Sequence, residues 1–232
     1  MIPDGIKVIG FDADDTLWVN EPYYREVEEE FAQLVSAYGV EEDIAAELFA
    51  TEIANLQLYG YGIKAFMLSL VECAIRLTQG RVRAQTIDQI LGLGKAMLQR
   101  PIELLDDVKR VLLELAPHYR LIVATKGDLL DQEGKMKRSG ISSFFHHIEV
   151  MSDKNEEAYV QLLAHLDIEP KDFLMIGNSM RSDIIPPLHL GAWAIHIPFH
   201  TTWAHEEVEE DPETKRFFRV DQLHEILPLI SI

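Results

Sequence analysis

From Pro101 onward the chain alternates short apolar runs with helical stretches, and that alternation restricts the fold more than any other feature. Leu121–Ala124, His147–Met151, Phe173–Ile176 and Ala192–Ile197 read as strands. Helical patterns separate them over about Leu129–Ser139, Glu156–His165 and Arg181–Leu190. In the last of these, Pro186 and Pro187 demand a kink or a late start. Asp106–Ala116 reads as a helix N-capped by Asp106, and Asp221–Leu229 as a terminal helix N-capped by Asp221. Near the start, Val8, Ile9 and Phe11 form a buried strand too short to be a helix. Strands interleaved with helices predict an α/β fold, a doubly wound, Rossmann-like parallel sheet with helices on both faces.

The segment between the first two strands breaks this rhythm. Glu21 to about Arg100 holds four helical stretches: about Pro22–Tyr38, Glu41–Leu58, Lys64–Gln79 and Arg83–Leu98. Gly39, Gly60, Gly62 and Gly80 punctuate them. The reading is an all-helical domain over 19–100 inserted into an α/β core of 1–18 and 101–232. In the third stretch Ser69, Glu72, Arg76 and Gln79 make a polar stripe, expected to be a solvated face with Glu72 and Arg76 paired. Thr201–Pro212, with Glu206, Glu207, Glu209, Glu210 and Asp211, reads as a solvated loop or short helix.

Charge narrows the function. The chain's 232 residues carry a net charge of -18, which repels phosphate backbones and anionic lipid. Nucleic-acid and membrane-surface partners are therefore not expected, and a phosphorylated ligand needs local cationic help. Cys73, the one cysteine, sits in an apolar helical pattern and reads as a small hydrophobe in a reducing compartment. No leader-like pattern opens the chain and no apolar run reaches about 18 residues, so the expectation is a cytoplasmic protein.

The strand ends carry the chemistry. In an open parallel sheet, ligands bind beyond the carboxyl ends of the strands. The first strand runs into Asp12 and Asp14, whose side chains point the same way on an extended backbone. Two such charges call for a divalent cation or a shared proton. The second strand ends at Thr125, the third is followed by Lys154, and the fourth by Gly177, Asn178 and Ser179 with Asp183 beyond. Any one of these could be a turn former or helix cap; their coincidence at four strand ends is the argument.

These residues resemble the haloacid dehalogenase-like hydrolase superfamily. Its DxDxT motif corresponds to Asp12-Ala13-Asp14-Asp15-Thr16, its Thr or Ser to Thr125, its Lys to Lys154, and its GDxxxxD motif to Gly177 through Asp183. Two positions depart from the pattern: Asn178 stands where Asp is common, and Asn155 follows Lys154 in place of Pro. The resemblance implies that the helical insertion is a cap. It implies Asp12 as nucleophile through an aspartyl-phosphate, and Asp14 as general acid and then base. It implies Thr125 and Lys154 on the phosphoryl oxygens, and Mg²⁺ held by Asp12, Asp14 and Asp183 with a weaker or water-bridged contact at Asn178. Asp14 favours phosphate over carbon–halogen chemistry, since expelled halide needs no proton. Tyr59, Tyr61 and Lys64, around Gly60 and Gly62, form the candidate specificity loop. The expected function is Mg²⁺-dependent phosphomonoester hydrolysis of a small phosphorylated metabolite. A sugar-phosphate mutase and a non-catalytic small-molecule-binding regulator stay open, as do the substrate and the oligomeric state.

Overall fold

A computed structural model describes residues 2–206, 208 and 211–230. Six parallel strands form one sheet in the order β3-β2-β1-β4-β5-β6. They are β1 (Val8–Phe11), β2 (Arg120–Lys126), β3 (His147–Met151), β4 (Phe173–Gly177), β5 (Trp193–His196) and β6 (Phe217–Arg219). This is the strand order of doubly wound nucleotide-binding sheets, and it reverses between β1 and β4. The helices are α1 (Glu21–Ser36), α2 (Ile44–Tyr59), α3 (Ile63–Leu77), α4 (Ala84–Gln99), α5 (Val108–Leu115), α6 (Leu129–Ser139), α7 (Glu156–Leu166) and α8 (Ile185–His189).

The alternation of side chains along each strand builds two cores. Ile9, Phe11, Leu121, Val123, Leu174, Ile176 and Ile195 pack with Val111, Leu112 and Leu115 of α5. The alternate set, Val8, Ile122, Ala124, Phe173 and Met175, packs with Tyr159, Leu162 and Leu163 of α7. Gly10 belongs to this second face, where a Cβ would lie 2.6 Å from the Phe173 ring. The glycine lets that ring lie flat across β1.

The chain divides into two compact units. The sheet unit comprises Met1–Glu21, Ile102–Lys126 and Gln132–Ile232, and the helical unit Pro22–Pro101 with Gly127–Asp131. The helical unit has a core of its own, from Val27, Phe31 and Val35 of α1 through Phe66, Leu70 and Cys73 of α3 to Ile90 and Met97 of α4.

Several local expectations are corrected. The polar stripe of α3 is exposed at Glu72, Arg76 and Gln79, but Ser69 is buried and accepts a hydrogen bond from Asn55. Glu72 pairs with Asn55 and Tyr59, and Arg76 with Glu47 and Thr51, so the stripe joins α3 to α2 and there is no Glu72–Arg76 pair. Asp106 does not cap α5. Asp107 precedes the helix at φ 61° and makes no cap hydrogen bond, its carboxylate being taken by Arg110 and His224. The terminal segment is a 3₁₀ helix, Leu223–Leu229, started by a capping box of Gln222 and Glu225 instead of Asp221. Pro228 inside it has no N–H to continue an α-helix. β6 is an unforeseen sixth strand whose Phe218 ring stacks on Trp193. The two prolines do force a late start: Met180–Ile184 is a π-helical turn, and α8 begins at Ile185 with proline in its first turn. Of the acidic stretch, Glu207, Glu209 and Glu210 lie outside the described residues.

Candidate active site

Asp12 leaves the end of β1 at the point where the strand order reverses. Its N–H still donates to Ile176 of β4, so the carboxylate is fixed by the sheet itself. Asp12 is 7% exposed. One of its oxygens accepts from the Thr16 hydroxyl at 3.1 Å and the other from the Lys154 ammonium. Lys154 also donates to Asp183 Oδ1 at 2.6 Å. It sits just before Asn155, whose side chain caps α7 by accepting from Ala158 N at 3.0 Å. Asn155, where the family often has Pro, thus has a structural task of its own.

Asp183 is held from its other oxygen by Ser179 N, 2.9 Å away. A Cβ on Gly177 would stand 2.3 Å from that oxygen, so only glycine allows Asp183 to fold back over β4. Asn178 completes the group. With its amide nitrogen turned inward, as the surrounding acceptors require, it lies 3.2 Å from each of Asp12 Oδ2, the Asp14 carbonyl and Thr16 Oγ1.

Two buried carboxylates here share one ammonium. Burial, then the charge of Asp183, pushes the Asp12 carboxyl up to about 7 despite Lys154. Burial works against a charged Lys154, but Asp12 and Asp183 outweigh it and raise its pKa. The oxygens of Asp12, Asp183 and the Asp14 carbonyl are hard donors, and the two carboxylates together are under-compensated by one ammonium. That donor set fits Mg²⁺ and not a thiophilic metal.

Asp14 belongs to a separate group. Its carboxylate accepts from Trp18 Nε1 at 2.7 Å, Gln132 Nε2 at 2.7 Å and Lys135 Nζ at 2.9 Å. Burial would raise its pKa, but Lys135, Gln132 and Trp18 together hold it below the usual range. The carboxylates of Asp12 and Asp14 meet different lysines, Lys154 and Lys135. The direction of the split is Asp12 up and Asp14 down. Thr125, buried at the end of β2, contacts the Lys126 carbonyl at 3.3 Å; among the described residues its hydroxyl joins neither group.

The three candidate specificity residues lie in the helical unit. Tyr59 ends α2 with its hydroxyl 2.5 Å from Glu72. Lys64 reaches Asp128 at 2.8 Å, and Tyr61, half-buried, lies between Gly60 and Gly62.

Sequence reasoning missed four contributors. Gln132 and Lys135 stand three apart on one face of α6, and both are buried. Their signal was a polar pair facing inward on the helix after Thr125. His196, at the end of β5, donates through Nε2 to the Asn178 carbonyl at 2.9 Å, and burial lowers its pKa. Glu206 is the fourth: it ends the short 3₁₀ helix Ala204–Glu206, and its carboxylate is bonded inward instead of solvated. It bonds Lys126, Ser179 and Ser182, which puts it against the Asn178–Asp183 turn. No periodicity could have marked it among its acidic neighbours.

The model of haloacid dehalogenase-like hydrolases matches residues 6–188. A haloacid dehalogenase-like family hydrolase from Xanthomonas campestris superposes with a TM-score of 0.84 at 39% identity, over 94% of this chain and 87% of that one. The N-acylneuraminate-9-phosphatase of Homo sapiens is 25% identical over 80% of this chain and 79% of that protein. A 2-haloacid dehalogenase from Pseudomonas syringae shares the fold, with a TM-score of 0.65 at 18% identity over 97% of this chain and 99% of that one. With the family's ordered motifs gathered at the carboxyl ends of β1 to β4, the chain belongs to the haloacid dehalogenase-like hydrolases and is an enzyme.

Proposed function

We propose that this hydrolase cleaves a phosphomonoester of a small metabolite through an aspartyl-phosphate on Asp12, with Mg²⁺ as cofactor. The observation that carries the reading is the second carboxylate, Asp14, two residues beyond Asp12 and held by a lysine of its own. Ester cleavage needs a proton for the leaving oxygen; halide release does not. The N-acylneuraminate-9-phosphatase relatives support a phosphate ester.

Asp12 attacks phosphorus, and the bond to the leaving oxygen breaks as that oxygen takes a proton from Asp14. In the second half Asp14 accepts a proton from water. The water oxygen bonds phosphorus, and the Asp12–phosphorus bond breaks. The first half needs Asp14 protonated, and the second half returns that proton to it from water; Lys135, Gln132 and Trp18, which hold its pKa down, favour the anion left between the two halves. Lys154 steadies Asp12 as a carboxylate and neutralises a phosphoryl oxygen, with the Thr125 hydroxyl at the next strand end. Mg²⁺, bound by Asp12, Asp183 and the Asp14 carbonyl with Asn178 alongside, would supply charge neutralisation for the transferring phosphoryl group. The helical unit, with Tyr59, Tyr61 and Lys64, is the cap that selects the substrate.

Purified protein should release phosphate from an aryl phosphate only with Mg²⁺, and a panel of phosphorylated metabolites should then rank the substrates. Asp12→Asn should lose about 10³-fold or more of that activity. Undiminished turnover by Asp12→Asn would remove Asp12 as nucleophile.

A further inference from the structure

At the outer edge of the sheet, β3 carries His147 and Glu149 two residues apart, so both side chains rise from one face. His165, in the last turn of α7, completes a cluster with them. Glu149 Oε2 lies 2.7 Å from His147 Nε2 and 3.5 Å from His165 Nδ1. The two imidazoles meet edge to face with centroids 5.2 Å apart. One ligand atom from each residue lies within 4.8 Å of the others.

A hydrogen bond accounts for His147 and Glu149 but not for the third member, whose 3.5 Å contact is too long to be a good one. Two imidazole nitrogens and a carboxylate oxygen do suit a tetrahedral cation. Bonds of about 2.0–2.2 Å set such ligand atoms roughly 3.3 Å apart, which small rotations of these side chains reach. His165 is 65% exposed, so a cation can enter and water can complete its coordination. Imidazole favours late first-row metals over Mg²⁺, which separates this donor set from the all-oxygen set at Asp12 and Asp183. In the strand register His147 is level with Ile122 and Glu149 with Ala124, both before Thr125. The cluster is therefore set back from the strand ends that carry the candidate active site. A net charge of -18 raises the local concentration of any cation.

We propose that His147, Glu149 and His165 bind a zinc-type divalent cation that clamps the end of α7 to the edge strand β3. The clamp joins the two elements between which Lys154 is carried.

The test is calorimetric titration of ZnCl₂ into chelator-stripped full-length protein held in excess Mg²⁺. One Zn²⁺ should bind, and binding should raise the thermal midpoint by about 5 °C at hundredfold excess over Kd. His165→Ala and His147→Ala should each weaken it at least about tenfold, with His165→Gln as the milder check if a variant unfolds. Asp183→Asn should leave it intact. Co²⁺ should give the visible absorption of a tetrahedral site in the unmodified protein and lose it in both histidine variants. The proposal fails if no Zn²⁺ binds, if binding survives both histidine substitutions, or if Asp183→Asn abolishes it.

Discussion

Two lysines at the same end of the sheet, Lys154 buried and Lys126 partly so, meet carboxylates, and the carboxylates respond in opposite directions. Lys154 is shared by Asp12 and Asp183, and burial with the second carboxylate drives Asp12 up to about 7. Lys126, the last residue of β2, pairs with Glu206. Burial would raise Glu206 too. Its pairing with Lys126 and the hydroxyls of Ser179 and Ser182 bring it down to about 2 instead. What separates the two sites is that Asp12 shares its lysine with a second carboxylate. The first is one positive charge short and is suited to receive a cation and a phosphoryl group. The second is an ion pair braced by two hydroxyls, and serves as a strap across the turn that presents Asp183.

The largest effect should come from deepening the imbalance. Lys154→Met leaves Asp12 and Asp183 without their ammonium. Phosphate release should fall about 10²–10³-fold. Stability should drop by about 3 kcal/mol at pH 8 and by less at pH 5, where Asp12 already holds a proton. Urea unfolding at the two pH values measures this; equal losses would mean that Asp12 carries no unpaired charge.

Mg²⁺ tests the same imbalance from the other side. Without metal, folded Asp12 keeps a proton between its unfolded value of 3.8 and about 7. The native state then binds more protons than the unfolded chain, so stability falls as pH rises through that window. Asp15, raised by burial to about 8, adds a slope of the same sign that Mg²⁺ leaves unchanged. Mg²⁺ at a hundredfold excess over its Kd should stabilise by about 2.7 kcal/mol at pH 8. The gain should shrink at pH 5.5, where the cation must first displace the proton. Thermal midpoints with and without MgCl₂ at both values decide it; a pH-independent gain would place the cation elsewhere.

Glu206→Gln breaks the balanced pair. It keeps shape and some hydrogen bonding but removes the anion that faces Lys126, so about 2 kcal/mol should be lost at pH 7. Glu206 has a depressed folded pKa, so its contribution is complete above its unfolded value of 4.5 and fades as pH falls toward 2. The unfolding curves of variant and parent should therefore converge on acidification, whereas those of Lys154→Met should converge from pH 8 to pH 5.

The Lys154 site was legible in the sequence and the Lys126 strap was not, for a physical reason. Asp12, Thr125, Lys154 and Asp183 stand at the ends of apolar runs, and a parallel sheet carries every strand end to one edge. The strand pattern alone therefore brings Asp12, Lys154 and Asp183 together, with Thr125 at the next strand end but outside their hydrogen bonds. Lys126 also ends a strand, but its partner comes from a segment whose composition reads as solvated, and only long-range packing buries one of its glutamates. The capping errors at Asp106 and Asp221 have a similar origin. Asp107 is drawn to Arg110 and His224, a residue more than a hundred positions away, and a local pattern cannot see that competition. Asp14 was placed correctly at its strand end, but its partners Gln132 and Lys135 come from a helix whose buried polar face was not read.

The smallest effect sharpens the comparison most. Ser182 Oγ accepts from Lys126 Nζ at 2.8 Å and bonds Glu206 at 2.5 Å, so it links the two charges without carrying one. Ser182→Ala removes that link and leaves the ion pair in place. About 1 kcal/mol should be lost at pH 7, half the cost of Glu206→Gln. If hydroxyl donors help to hold Glu206 down, its acid transition should move from about 2 toward 4.5, seen as an upward shift of the pH at which urea stability declines. If the Lys126 charge alone sets that value, the variant should lose stability equally at all pH values and the transition should stay where it is. The contrast with Asp12 would then reduce to counting charges, with the hydroxyls contributing only geometry.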